Sequence, residues 1–261
     1  MKQPKKPIKV SQSLMKSIDK YADKEECGLV FEAKFIHNVR TPETEPMALG
    51  NWFEFIATGQ LPRTGETPEA KRLKSGKLAT NYIRMEKQAD NYKEMIEAEG
   101  FEVISTGHTF KKNKYATGIC DVLARKDGRT CVIDLKSSGM LDNKWEENGW
   151  HIDFLHEKHN LLIQAVHYTY LAQEEFGEPV DFYFAVYSTK NDKDSALIKI
   201  EISEERMLEH INKIRKTQVY FEQEKKRGFK PHPTFKRCTK CFLREECKLA
   251  KKTPETQTIY Y

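Results

Sequence analysis

The segment that most constrains this chain is residues 118–139, GICDVLARKDGRTCVIDLKSSG. Two apolar runs flank Arg125-Lys126-Asp127-Gly128-Arg129, and Asp-Gly between apolar runs is the turn chemistry of a β-hairpin. Strands are expected over 115–124 and 130–137. Side chains alternate along a strand, so Asp134 and Lys136 share one face while Ile133 and Leu135 turn to the core behind. An antiparallel partner brings Asp121 alongside. The ribbon is then one of two things. It is a surface hairpin with a Lys–Asp pair worth under about 1 kcal/mol. Or it is a site that concentrates charge among apolar residues, where unpaired charge is costly.

The surrounding pattern sets the fold class. Helical spacing runs over 11–35, with a break before Cys27, then over 47–58, and from about 70 to 99 with Gly100 closing the helix. Residues 101–110 form a strand before the hairpin. A polar loop with Trp145 and Trp150 follows it, then a long helix over 153–176, strands over 180–188 and 196–202, and a helix that Ser203 starts as N-cap. Helices, three strands, helix, two strands and helix make a mixed α/β arrangement around one central sheet.

The chain has 261 residues, enough for a sizeable core. No apolar run approaches the roughly 18 residues of a membrane span. The N-terminus MKQPKKPIKV lacks the apolar stretch of a secretory signal, so residues 1–10 are expected to be a basic flexible tail on a cytoplasmic protein. Fourteen Phe and eleven Tyr argue against disorder.

Charge is unevenly placed. Residues 225–252 hold eleven Lys or Arg against two Glu, a local +9 in a chain of net +5, which leaves −4 elsewhere. Such a run is a solvated face or a phosphate-facing patch. Three of the six cysteines crowd into CTKCFLREEC (238–247). Reduced intracellular thiols at that spacing point to a metal site rather than disulfides. Cys120 and Cys131, inside the hairpin strands, are expected to be small buried hydrophobes.

Paired carboxylates are the preferred ligands of Mg²⁺ and Mn²⁺, which polarise a phosphate and acidify bound water. Lys136 would orient that water or stabilise developing charge.

These residues resemble a known family. Asp121, a twelve-residue gap, then Asp134-Leu135-Lys136 is similar to the signature of the PD-(D/E)xK nuclease superfamily. Within it the chain most resembles the RecB-like exonucleases, which include the AddB nuclease domain and CRISPR-associated exonucleases. Gly50-Asn51-Trp52-Phe53-Glu54 resembles the upstream G-x-x-x-(H/E) motif, with Glu where many members carry His, as in lambda-type exonucleases. Gln164-Ala165-x-x-Tyr168 resembles the Q-A-x-x-Y motif, and i, i+4 spacing puts Gln164 and Tyr168 on one helix face. His167 lies between them on a different face and receives no role. Cys238, Cys241 and Cys247 resemble the C-terminal cysteines of the iron–sulfur members, with Cys27 in the place of the upstream fourth ligand.

The resemblance covers about residues 11–250 and implies the following. The fold is α/β, a restriction-endonuclease-like core with a central mixed sheet flanked by helices, in a single domain over 11–250 with a C-terminal tail at 251–261. An iron–sulfur staple joins the N- and C-terminal segments. Glu54, Asp121, Asp134 and the Leu135 carbonyl hold Mg²⁺ or Mn²⁺, and Lys136, Gln164 and Tyr168 complete the catalytic set. Cys27, Cys238, Cys241 and Cys247 hold a [4Fe–4S] cluster, or alternatively Zn²⁺. DNA is the partner, contacted by Gln164, Tyr168, Lys236, Arg237 and Lys240. Trp145, Trp150 and Phe154 either stack on unpaired bases or anchor their loop to the core. The expected activity is metal-dependent exonuclease cleavage of DNA in recombination, repair, or phage or CRISPR processing. No P-loop lies in the sequence, so a helicase would be a separate subunit. The alternative is a catalytically silent nuclease fold that binds DNA or a partner.

Overall fold

The computed structural model describes residues 8–139, 141, 150 and 159–251. Trp145 and Phe154 lie outside the described residues, as do most of the expected tails. The chain forms two compact units, Thr44–Asn212 and a second made of Met1–Glu43 with Lys213–Tyr261.

The unit Thr44–Asn212 is a layered α/β body. Helices α3 (Glu45–Thr58) and α4 (Thr80–Ala98) lead into strands β1 (Glu102–Thr109), β2 (Ile119–Lys126) and β3 (Arg129–Ser138). Then come α5 (His159–Phe176), β4 (Val180–Ser188) and β5 (Ser195–Ile200). The five strands lie in the order β1-β2-β3-β4-β5. Among the described residues only β3 and β4 pair in parallel, and α5 supplies the crossover that a parallel pair needs. The sheet is therefore mixed. Asp127 and Gly128 both have positive φ, 51° and 76°, as a two-residue hairpin turn requires.

Two sequence expectations shift here. The helix expected from about residue 70 starts only at Thr80. Gly76, at φ 81°, instead turns the chain back, and Arg72 bridges Leu78. Strand β2 starts at 119 rather than 115, because Asn113 Oδ1 accepts the backbone N–H groups of Tyr115 and Ala116 and holds that stretch as a loop.

One face of the sheet packs under α3 and α4. Phe53, Tyr82 and Met85 meet Val122, Cys131, Ile133, Leu135 and Tyr187 in one buried cluster. Removing a buried Phe such as Phe53 would cost about 3–5 kcal/mol. α5 lies against β3 and β4. Cys120 and Cys131 are buried, and burial pushes the Cys131 thiol up to about 11.

The other unit begins with α1 (Gln12–Ala22), capped by Ser11, whose Oγ accepts the Leu14 N–H at 3.2 Å. α2 (Gly28–Phe35) follows, and the chain returns through the part of α6 (Glu204–Arg227) from Lys213 onward, then α7 (Phe235–Cys238) and α8 (Lys248–Lys251). Its centre is aromatic: Tyr21, Phe31, Phe221 and Phe229 pack ring against ring. Tyr21 donates its hydroxyl proton to Glu224 at 2.8 Å and accepts the Lys230 N–H at 2.9 Å. Among the described residues, no helix is long and apolar enough to cross a membrane.

Candidate active site

The hairpin is the frame of the site. Val122 lies opposite Ile133, and that register sets Asp121 opposite Asp134 at the end away from the turn. Asp134 is fully buried. Lys136, on the same face, pairs with its Oδ2 and also approaches the Leu135 carbonyl oxygen at 3.4 Å. The Lys136 ammonium lies 5.8 Å from the centre of the Phe184 ring, on the β4 residue paired with Asp134. Asp121 is half-buried, and its Oδ2 accepts the Leu135 N–H at 2.8 Å. The Leu135 side chain points the opposite way, into the core with Ile133, as strand alternation requires.

The flanking helices complete the cluster. Gln164 on α5 donates its side-chain amide to Asp134 Oδ1. Tyr168, one turn later, is buried and lies over Gly118, where a Cβ would come within 2.8 Å of its ring. Glu54 on α3 is half-buried and lies close enough to Asp134, Lys136 and Arg63 for their charges to act on it.

The electrostatics follow from three carboxyls sharing one half-buried ammonium. Burial, then the Asp134 charge, holds Glu54 above the usual carboxylate range. Asp121 stands well above that range for the same reasons, with Glu54 adding to the repulsion. Burial alone would lower the Lys136 ammonium, but the Asp134 and Asp121 charges outweigh it and hold it above its ordinary value. Burial, then the same two Asp charges, pushes the Tyr168 hydroxyl upward. Like charges in a low-dielectric pocket favour any cation that enters.

Among the described residues, no three His, Cys, Asp or Glu side chains stand already gathered as a metal cage. The internal bonds account for this at the hairpin: Gln164 and Lys136 hold the Asp134 oxygens, and the Leu135 N–H holds Asp121. The donor set still fits a hard divalent cation, because it is all oxygen and carries excess negative charge.

Arg63 escaped the sequence reading. It sits in the turn closed by Gly65 N–H to Pro62 carbonyl at 2.8 Å, exposed, and its charge draws down both Glu54 and Tyr168. A lone arginine in LPRTGE carries no sequence signal that sets it apart.

Trp150 is buried with its ring edge-on to Phe184 at 5.4 Å, so it packs into the core and does not offer a face to bases. In the other unit, Cys27, Cys238, Cys241 and Cys247 are half-buried free thiols. Burial first, then the charges of the other three, raises the Cys241 thiol. Lys236 and Lys240 are exposed there, whereas Arg237 is half-buried with Nη1 inside and unpartnered.

Comparison with known proteins agrees with this architecture. The model of a family described as a PDDEXK-like domain of unknown function (DUF3799) matches residues 11–247. No curated protein matches the chain. A solved structure described as a candidate exonuclease from Eubacterium rectale is similar, with a TM-score of 0.61 at 15% identity, over 97% of this chain and 91% of that one. An alkaline exonuclease from Laribacter hongkongensis gives a TM-score of 0.39 at 15% identity, over 83% of this chain and 89% of that one. The family match and the Eubacterium rectale structure show a nuclease-like fold.

Proposed function

The chain belongs to the PDDEXK-like family DUF3799, and on that premise we propose that it is a divalent-metal-dependent deoxyribonuclease that degrades DNA from its ends. The observation that carries this reading is the convergence of Asp121, Asp134, Glu54 and Lys136, with Gln164 fastened to Asp134.

Each residue has a role that its position supports. Asp121, Asp134 and Glu54, with the Leu135 carbonyl, would hold one or two Mg²⁺ or Mn²⁺ ions, which supply Lewis-acid polarisation of the phosphate and an acidified water. Lys136 stays protonated beside Asp134 and so can donate to the attacking water or to charge building on phosphate oxygen. Gln164 orients Asp134. Tyr168, its hydroxyl held neutral, borders the site and can donate to DNA. Lys236 and Lys240 present exposed charge to the DNA backbone, and Arg237 joins them only in part.

The four cysteines are proposed to hold a [4Fe–4S] cluster, with Zn²⁺ as the competing occupant. Their shared electrostatic neighbourhood supports this. Bound iron and sulfide in anaerobically purified protein, lost in Cys241→Ser, support the cluster, and stoichiometric zinc without iron overturns it.

End-labelled linear and closed circular DNA, incubated with Mg²⁺, Mn²⁺ or chelator, tests the activity. Degradation of linear DNA only with metal, and an Asp134→Ala protein that binds without cutting, is the expected result. Wild-type protein that binds DNA but cuts no form of it overturns the enzyme reading in favour of a silent DNA-binding subunit.

A further inference from the structure

His167 sits inside the Gln164–Tyr168 motif, and the proposed chemistry does not use it. Its ring is completely buried. Nε2 lies 3.0 Å from the Thr117 carbonyl oxygen, and Nδ1 lies 3.0 Å from Nε2 of His210, itself buried, on α6. A carbonyl only accepts, so Nε2 of His167 carries a proton. In the neutral ring Nδ1 is then bare and accepts from the His210 N–H. One tautomer satisfies both bonds.

The place of those bonds matters. Thr117 precedes Gly118, which lies beneath the Tyr168 ring, and Asp121 follows three residues later on β2. Tyr170 on the same helix accepts from the side-chain amide of Asn113 at 2.8 Å, and the Tyr170 ring lies 6.3 Å from that of His210. Successive α5 residues thus grip the segment 113–118 at three points. The tie from His167 reaches the backbone itself. That grip sets the distance between the helix that bears Gln164 and the strand that bears Asp121.

We propose that His167 is a positioning residue: through the fixed pair of bonds Thr117 carbonyl–His167–His210, it holds Gln164 and Tyr168 in line with Asp121 and Asp134. This rests on the nuclease reading. Reacting groups displaced by about 1 Å can lose about 100-fold in rate, with binding less affected. His167→Phe is therefore expected to fold and to keep KM for DNA within about 3-fold while kcat falls about 10- to 100-fold. His167→Gln, whose amide can donate toward Thr117, should recover much of that loss.

Steady-state kinetics of the wild type, His167→Phe and His167→Gln, with thermal melts as the folding control, make the test. A folded His167→Phe protein with wild-type kcat overturns the proposal, and so does a His167→Gln protein as impaired as His167→Phe. If His167→Phe does not fold, the nitrogen NMR signature of His167 in the wild type decides: a neutral ring protonated at Nε2 upholds the proposal, and a ring protonated at Nδ1 or at both nitrogens overturns it. Wild-type protein that cuts no DNA sinks the nuclease reading itself, a different result from cutting that ignores His167.

Discussion

The backbone N–H of Leu135 donates to Oδ2 of Asp121 over 2.8 Å. The first acidic strand is therefore tied to the second at the residue just after Asp134, and the two carboxyls hold a common orientation. Asp121→Asn keeps an oxygen for that N–H and deletes the charge. It should fold, lose at least about 100-fold in DNA cleavage, and in chelator melt no lower than the wild type, because one of the mutually repelling carboxyls is gone. Paired activity assays and melts check this. A marked fall in melting temperature would mean that the Asp121 charge stabilises the fold.

Arg63 is exposed, and its charge acts on Glu54 and Tyr168. Arg63→Ala should weaken DNA binding by about 10-fold and flatten the salt dependence of affinity by about one phosphate contact. Binding titrations over a range of salt, with catalysis blocked by chelator, read both quantities. Unchanged affinity and slope would place Arg63 outside the DNA path.

Glu175 supplies a pH dependence away from the site. Burial alone would raise its carboxyl, but the N–H of Lys111, the His108 ring at 2.7 Å and the N–H of Lys112 outweigh it and hold it below the ordinary 4.5. The unfolded chain then binds the proton more readily, so this stabilisation is present above pH 4.5 and is lost as pH falls through the lower folded value. Glu175→Gln should cost about 1 kcal/mol near neutral pH, and the difference should close in acid. Urea denaturation across pH measures it. A deficit that persists at the acid end would assign the loss to packing.

Two glycines should respond in opposite directions. A Cβ on Gly28 would lie 2.2 Å from the Lys230 carbonyl oxygen, so Gly28→Ala must push backbone from backbone and should cost about 1–3 kcal/mol. Gly50, the motif glycine inside α3, has only Ser137 Oγ near, at 3.7 Å. Gly50→Ala should be tolerated or stabilise by up to about 1 kcal/mol. Melting temperatures of the two variants decide, and equal losses would show that Gly50 has a constraint beyond space.

Much of the hairpin and sheet was legible because it rests on local rules. Asp127-Gly128 takes the left-handed turn, alternation sends Leu135 inward and Asp134 to the other face, and β4 falls on Val180–Ser188 as expected from its apolar run. The start of α4 was not legible, because residues 70–79 have helical spacing but Gly76 prefers a turn that only the folded context selects. In sequence Trp150 fits a core-packed residue or a base-stacking one, and its packing against Phe184 separates the two.

Sequence alone therefore determined which groups the chain carries and which strand faces they occupy, since backbone alternation and turn chemistry are properties of neighbouring residues. Tertiary structure decided what those groups meet. Gln164 reaches Asp134 across 30 positions, Arg63 acts on Tyr168, and His167 bonds Thr117 across 50 positions. Burial then raises Glu54 and Asp121, and the nearby carboxylates raise Lys136 against burial, because desolvation and close charge exist only once distant segments are packed together.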